Sequence, residues 1–242
     1  VTAIDDAAPT TARAWRAVLE RIETQLLEGV LSPGDRLPPE RELAATLGVG
    51  RSSVREALRV LEVMGLIRTG TGSGPTSGAI IVATPRGGMA ALLRLQVAAH
   101  GFPLDDVVRT RLVLEAAVVS ALAADPDRSI ETARDVADAM DAAALTPAEF
   151  LVLDAQLHLA LADASGNVVI AAMMAGLRTS IESYVQDGAA RIPDWDAAAT
   201  RLRHEHRGIL DAIDAGDPER ARTLVEEHIS GYYAQAALGG SS

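Results

Sequence analysis

Apolar residues recur at helical spacing along most of this chain. Trp15, Val18, Leu19, Ile22 and Leu26 repeat at intervals of three and four, which predicts a helix over residues 12–27. Leu31-Ser32-Pro33-Gly34 breaks it. A short helix then opens at Pro39, a residue suited to the first helical position, with Leu43 and Leu47 as its inner stripe and Gly48 as its stop. Val54, Ala57, Leu58 and Leu61 mark the inner face of a third helix over 51–64, ended by Gly65. The period then changes. Leu66-Ile67-Arg68 and Ala79-Ile80-Ile81-Val82 read as two short strands joined by a Gly-rich loop, 70–78. Pro85-Arg86-Gly87-Gly88 reads as a linker, and beyond it the pattern is helical, with spans at 89–99, 103–124, 128–143, 147–164, 167–189 and 195–236. Gly216-Asp217-Pro218 interrupts the last span. Thr146 and Glu149 form a capping box around Pro147, and Asp217 caps the final segment with Pro218 at its first position.

The expected fold class is therefore mainly α. An N-terminal winged helix-turn-helix covers 12–84, a linker and first helix cover 85–102, and an all-helical bundle covers 103–236. Composition agrees: a content of 48% hydrophobic but only 3% aromatic residues means that Ala, Val and Leu fill the interior, which suits close-packed helices. The absence of cysteine removes disulfides and thiolate metal sites. Residues 1–11 have no basic start, and no stretch reaches the ~20 apolar residues of a membrane span, so a cytoplasmic location without a membrane partner is expected.

A net charge of -11 argues at first against a nucleic-acid partner. The average hides an asymmetry. Arg36, Arg41, Arg51, Arg55, Arg59 and Arg68 face only Glu40, Glu42, Glu56 and Glu62 in their stretch, whereas from Pro85 onward 13 Arg stand against 23 acidic residues. A mildly basic head on an acidic body fits DNA binding. On the third helix Arg51, Arg55 and Arg59 fall at i, i+4 and i+8, opposite the apolar face, and Ser52 and Ser53 stand near its start, where a recognition helix meets bases and phosphates. Arg41 on the preceding helix can reach the same groove. The plain alternative is a solvated helix with Glu56 pairing locally. Gly72-Ser73-Gly74 lacks the following helix that a dinucleotide fingerprint requires and reads as a wing tip.

The run Leu31 to Leu43, with Pro39-Glu40-Arg41-Glu42 inside it, followed by Leu47 to Leu66 with Arg51-Ser52-Ser53-Val54-Arg55, resembles the DNA-binding domain of the GntR family over most of 12–83. The resemblance implies that Arg41, Arg51 and Arg55 contact DNA. Two features depart from it: Gly50 replaces the usual Ser or Thr, and the wing carries the extra residues 74–78.

In the body, Asp154 and His158 sit at i and i+4 and point the same way. His206 lies eleven residues before Asp217 and His228 eleven after it. Around an antiparallel turn, both imidazoles stand ~16 Å from it at equal height and can meet. His204 should point elsewhere. One carboxylate and three neutral imidazoles suit a divalent zinc, nickel or manganese ion with a position open to a ligand. Taken singly, each histidine is an ordinary core or surface residue. The span 103–236, with Asp154 to His158, Glu205 to Ile213 and Gly216 to Arg222 ahead of His228, resembles the FCD effector domain of the FadR subfamily. That resemblance implies that these four residues hold a metal, and it draws attention to Arg111 beside Glu115. Arg111 either anchors an acidic effector through a bidentate contact or pairs within its helix.

Together these readings describe a homodimeric, ligand-responsive regulator, a repressor or an activator, on a palindromic double-stranded DNA operator. Its effector is a small organic acid bound at a metal-containing helical pocket. The alternatives are sensing of a long acyl ligand without metal, direct metal sensing, or a metal hydrolase tethered to DNA. No HExxH, GxSxG or P-loop supports catalysis, so no enzyme is expected.

Overall fold

The computed structural model describes residues 11–70, 78–82, 86–142 and 145–238. They fall into two compact units, divided after Gly88.

The first unit contains α1 (Thr11–Leu27), α2 (Glu40–Leu47), α3 (Arg51–Val63), β1 (Ile67–Gly70) and β2 (Gly78–Ile81). Val18 and Ile22 from α1, Leu43 from α2, Val54, Ala57, Leu58 and Leu61 from α3, and Ile67 and Ile81 from the hairpin form one core. The strands are antiparallel with Ile67 opposite Ile81. The chain ahead of α2 pairs with β2 as well: Leu37 N donates to Ala79 O at 2.9 Å, and Arg36 bridges Ile80. Gly48 ends α2 at φ 65, a left-handed conformation that favours glycine. Pro39 proves to be the cap of α2 rather than its first helical residue, its carbonyl accepting from Leu43 N. The expected wing tip, including the extra residues 74–78, falls within 71–77 except for Gly78, and 71–77 lie outside the described residues.

α4 (Arg86–Ala98) begins inside the expected linker, of which 83–85 are not described. Gly87 and Gly88 fall in its first turn, where the backbone N–H groups have no intrahelical partner in any case. The second unit continues with α5 (Leu104–Ala124), α6 (Glu131–Met140), α7 (Pro147–Ala164), α8 (Val168–Ala189), α9 (Trp195–Asp214) and α10 (Pro218–Leu238). α10 packs on α5 and α9, and α7 lies between α6 and α8. The core is made mainly of Leu, Ile, Val and Ala, with Phe150 fully enclosed against Trp195 in an edge-to-face contact.

α6 is shorter than its sequence pattern predicts because Arg128 is used elsewhere. Its guanidinium donates to Asp125 O at 2.7 Å and to Asp214 O at 2.6 Å, so 125–130 fold as a turn that ties onto the end of α9. α8 is 22 residues long and, by length and composition, apolar enough to cross a membrane. Here it is a bundle helix, with Ala171, Ala172, Met174, Leu177 and Ile181 buried and a charged residue, Arg178, on the same inward side.

Candidate metal centre and nucleic-acid interface

α7, α9 and α10 each deliver side chains to one buried point. Asp154 and His158 come from successive turns of α7, while His206 and His228 come from opposite arms of the α9–α10 hairpin. Gly216 turns that hairpin at φ 69, and Asp217 caps α10 by accepting from Arg220 N at 3.0 Å. The equal offset from this turn brings His206 and His228 together, with Nε2 atoms 3.2 Å apart. His158 Nε2 is also 3.2 Å from His228 Nε2. Asp154 Oδ1 lies 3.1 Å from His206 Nε2, 3.7 Å from His158 Nε2 and 3.9 Å from His228 Nε2. His204 is exposed and takes no part.

Three imidazole nitrogens this close repel one another unless protons or a cation lie between them. Burial lowers the pKa of His206, helped by His228, and burial also lowers that of His228, so both favour the neutral form that ligates metals. The outer nitrogens of two rings have carboxylate partners: His158 Nδ1 meets Glu115 Oε2, and His228 Nδ1 lies 2.8 Å from Glu205 Oε2. Carboxylates in those positions hold the proton on Nδ1 and turn the Nε2 lone pair inward. His206 Nδ1 is buried without a hydrogen-bond partner. Tetrahedral bonds of about 2.0–2.1 Å space ligand atoms roughly 3.3 Å apart, comparable with the 3.1 to 3.9 Å of five of the six pairs, and all four atoms lie within 4.8 Å of one another, so the donor set could hold a zinc-like divalent ion.

Among the charges that surround this point, sequence reasoning singled out Arg111 and Glu115 but missed Arg178 and the role of Glu205. Arg178 Nη1 donates to Asp154 Oδ2 at 3.0 Å. Burial alone would raise the Asp154 carboxyl, but Arg178 and the neighbouring histidines hold it well below the usual range. Glu115 behaves alike: burial is outweighed by His158, Arg111 and Arg178. Arg111 is fully engaged, with Nε 2.9 Å and Nη2 2.8 Å from Glu115 Oε1 and Nη1 2.8 Å from the Tyr233 hydroxyl. The intrahelical pairing is thus the one observed. A lone Arg in the apolar stretch Val168–Ala189 was the signal for Arg178, and Glu205 beside His206 was the signal for the carboxylate behind His228.

In the first unit, Arg41, Arg51, Ser52, Arg55 and Arg59 are exposed, whereas Ser53 is only 4% exposed and packs into the core. Ser53 follows the inward stripe with Val54 and Ala57, so it offers little to a nucleic acid. Arg55 Nη2 pairs with Glu40 Oε2 at 3.3 Å. Gly50 caps α3 from an ordinary extended conformation, φ -68, without a side-chain hydrogen bond.

Comparison with known proteins agrees with both units. The model of the FCD domain matches residues 106–231, and that of the bacterial regulatory proteins of the gntR family matches residues 15–76. The HTH-type transcriptional regulator Mce2R of Mycobacterium tuberculosis is 31% identical over 232 residues, covering 90% of each chain. A protein of Escherichia coli named as a putative L-lactate dehydrogenase operon regulatory protein is 29% identical over 217 residues, 88% of this chain and 82% of that one. The solved structure of Streptococcus agalactiae GntR shares the fold, with a TM-score of 0.57 over 90% of this chain and 98% of that one at 24% identity. The chain belongs to the gntR family of bacterial regulatory proteins and carries an FCD domain, which makes it a DNA-binding transcriptional regulator and not an enzyme.

Proposed function

We propose that this regulator is a cytoplasmic homodimer of the FadR subfamily that binds a palindromic operator and responds to a small carboxylate at a metal-containing pocket. The observation that carries the reading is the convergence of Asp154, His158, His206 and His228 on one buried point with carboxylates behind two of the rings. These four residues would hold zinc, nickel or manganese, and the ion would supply a positive site for an anionic oxygen of the effector.

Charge balance supports an anionic effector. Arg111 and Arg178 offset Glu115 and Asp154 within the buried cluster, so a divalent ion leaves an excess of positive charge that a carboxylate reduces. A long acyl chain fits poorly, because the cavity lined by Arg111 and Arg178 is about 190 Å³, below the ~300 Å³ at which pockets for larger ligands begin. In the head, Arg41, Arg51, Ser52 and Arg55 would meet the operator, Arg51 and Arg55 from the start of a helix whose opposite face is anchored in the core. The effector would shift the dimer between arrangements that fit and do not fit two half-sites.

Elemental analysis of gently purified protein tests the centre, with His206→Ala and His228→Ala alongside. About one equivalent of metal in the parent and little in either variant is expected. Less than roughly a tenth of an equivalent, with no melting shift on adding zinc, nickel or manganese, would remove it.

A further inference from the structure

The outward face of α3 carries a further arginine. Ser52, Arg55 and Arg59 follow one another at i, i+3 and i+7, all exposed, on the side opposite Val54, Leu58 and Leu61. Arg55 pairs with Glu40. Arg59 has no hydrogen-bond or ion-pair partner among the described residues. Yet a carboxylate stands at helical reach on each side of it, Glu56 three residues before and Glu62 three after.

Glu62 is engaged elsewhere. Its Oε1 accepts from Thr69 N at 3.0 Å and from Thr69 Oγ1, so the carboxylate at the end of α3 is turned toward β1. The hydroxyl bond first, and the backbone bond after it, lower the Glu62 pKa, which leaves the group ionised. Thr69 stands two residues after the buried Ile67 and shares its face of β1, which is what brings the hydroxyl to α3. Released from Thr69, an ionised Glu62 would be the partner one turn along from Arg59, on the face that meets DNA.

We propose that Arg59 is a further DNA-contacting residue, one that binds a phosphate, and that Thr69 keeps it available by holding Glu62 away from it. Arg59 lies ~12 Å along the helix from Arg51. The first residues of a recognition helix meet base edges, whereas one two turns further on meets the backbone that borders the groove, a contact that positions without reading sequence. This assignment rests on the recognition-helix reading above and is independent of the metal, the effector and the form of the operator.

Fluorescence anisotropy of the full chain tests it across a series of salt concentrations. The probes are a duplex selected by the parent protein from a randomised pool and an unrelated duplex of equal length. Arg59→Gln should weaken both alike, roughly three- to tenfold at ~0.1 M salt, and lower the slope of log K against log salt by about 1. Arg59→Lys, a point charge that still meets a phosphate, should retain most of the affinity. Arg51→Ala and Arg55→Ala, run beside them, should instead reduce the preference for the selected duplex. Thr69→Val keeps the β-branched shape but loses the hydroxyl, and it should weaken binding several-fold. Combined with Glu62→Gln it should cost nothing further, because no carboxylate is then left to capture Arg59. A hydroxyl needed only to build the hairpin would not be rescued by removing a charge from α3. Arg59→Gln with the affinity and salt slope of the parent overturns the contact. If Arg51→Ala and Arg55→Ala fall in the same assay, the recognition-helix reading survives without it, and if they too match the parent, that reading falls as well. Thr69→Val that binds like the parent, or whose loss persists in full beside Glu62→Gln, overturns the role given to Thr69.

Discussion

At the scale of single residues, Glu205 joins the candidate metal centre to the surface. One oxygen faces His228 Nδ1 at 2.8 Å and the other takes Arg201 Nη1 at 2.5 Å, while Arg201 Nη2 donates to Gln235 at 2.7 Å. Burial would raise the Glu205 carboxyl, but His228 and Arg201 hold it below its ordinary range, so it stays ionised behind the imidazole. Removing such a partner typically costs 10- to 100-fold in metal affinity. Glu205→Ala should weaken zinc by that amount in a chelator competition, whereas Glu205→Gln should lose less because its amide oxygen still accepts from Nδ1. Equal affinities for both variants and the parent would show that His228 needs no orienting partner. A second residue-scale prediction concerns Glu40. Its pair with Arg55 is exposed and worth at most about 1 kcal/mol, but it competes with a phosphate or base for the same guanidinium. Glu40→Gln should tighten operator binding a few-fold, while Arg51→Ala and Arg55→Ala should each cost roughly 1 to 3 kcal/mol if they read bases. Fluorescence anisotropy at two salt concentrations reads all three.

At the scale of elements, α7 carries two of the four candidate ligands, and its start is fixed by a complete capping box. Thr146 Oγ1 accepts from Glu149 N at 3.3 Å, and Glu149 Oε2 accepts from Thr146 N at 2.8 Å. Thr146→Ala should destabilise the second unit by about 1 kcal/mol in urea unfolding. Hydrogen bonds from the Thr146 side chain and then its backbone lower the Glu149 pKa. A carboxylate with a depressed folded value stabilises the fold above its unfolded pKa, and that contribution disappears as pH falls through the folded value. The stability gap between parent and Glu149→Gln should therefore be present at neutral pH and close in strong acid. A gap that widens on acidification would contradict the capping role. α3 begins with a weaker device, since Gly50 caps it with backbone alone. A Cβ there would meet only Ser52 Oγ at 3.5 Å, so Gly50→Ser should fit and stabilise the head by a few tenths of a kcal/mol, seen as a small rise in its melting temperature.

At the scale of the whole molecule, the two units have separate cores, one built on Val18, Ile22, Val54 and Leu61, the other on Leu122, Phe150, Leu157, Ile209 and Ile213. A fragment of residues 85–242 should thus melt cooperatively on its own and sediment as a dimer. A disordered fragment would show that this unit needs the head to fold, and a strictly monomeric one that the homodimer is not held together by this unit.

The repeat of apolar positions, the glycine and proline stops and the capping residues were enough to place nearly every helix and the hairpin, because these are local preferences written within a few residues of one another. The same holds for Asp154 with His158, one helical turn apart, and for His206 with His228, placed symmetrically about Asp217 in the turn. The boundary of α6 was not legible, since it depends on Arg128 reaching the carbonyl of Asp214, 86 residues away. Ser53 looked like a contact residue and is core, a matter of a small rotation about the α3 axis that spacing alone does not resolve. Which carboxylate each buried arginine meets was decided only by tertiary packing. Arg111 finds Glu115 one turn along its own helix and Tyr233 across the bundle, while Arg178 hydrogen-bonds Asp154 with one nitrogen and stands 3.9 Å from Glu115 with another. Short-range geometry follows from sequence because the helix repeats it. The partners of a buried charge do not, because they are set by which helices pack together and at what depth.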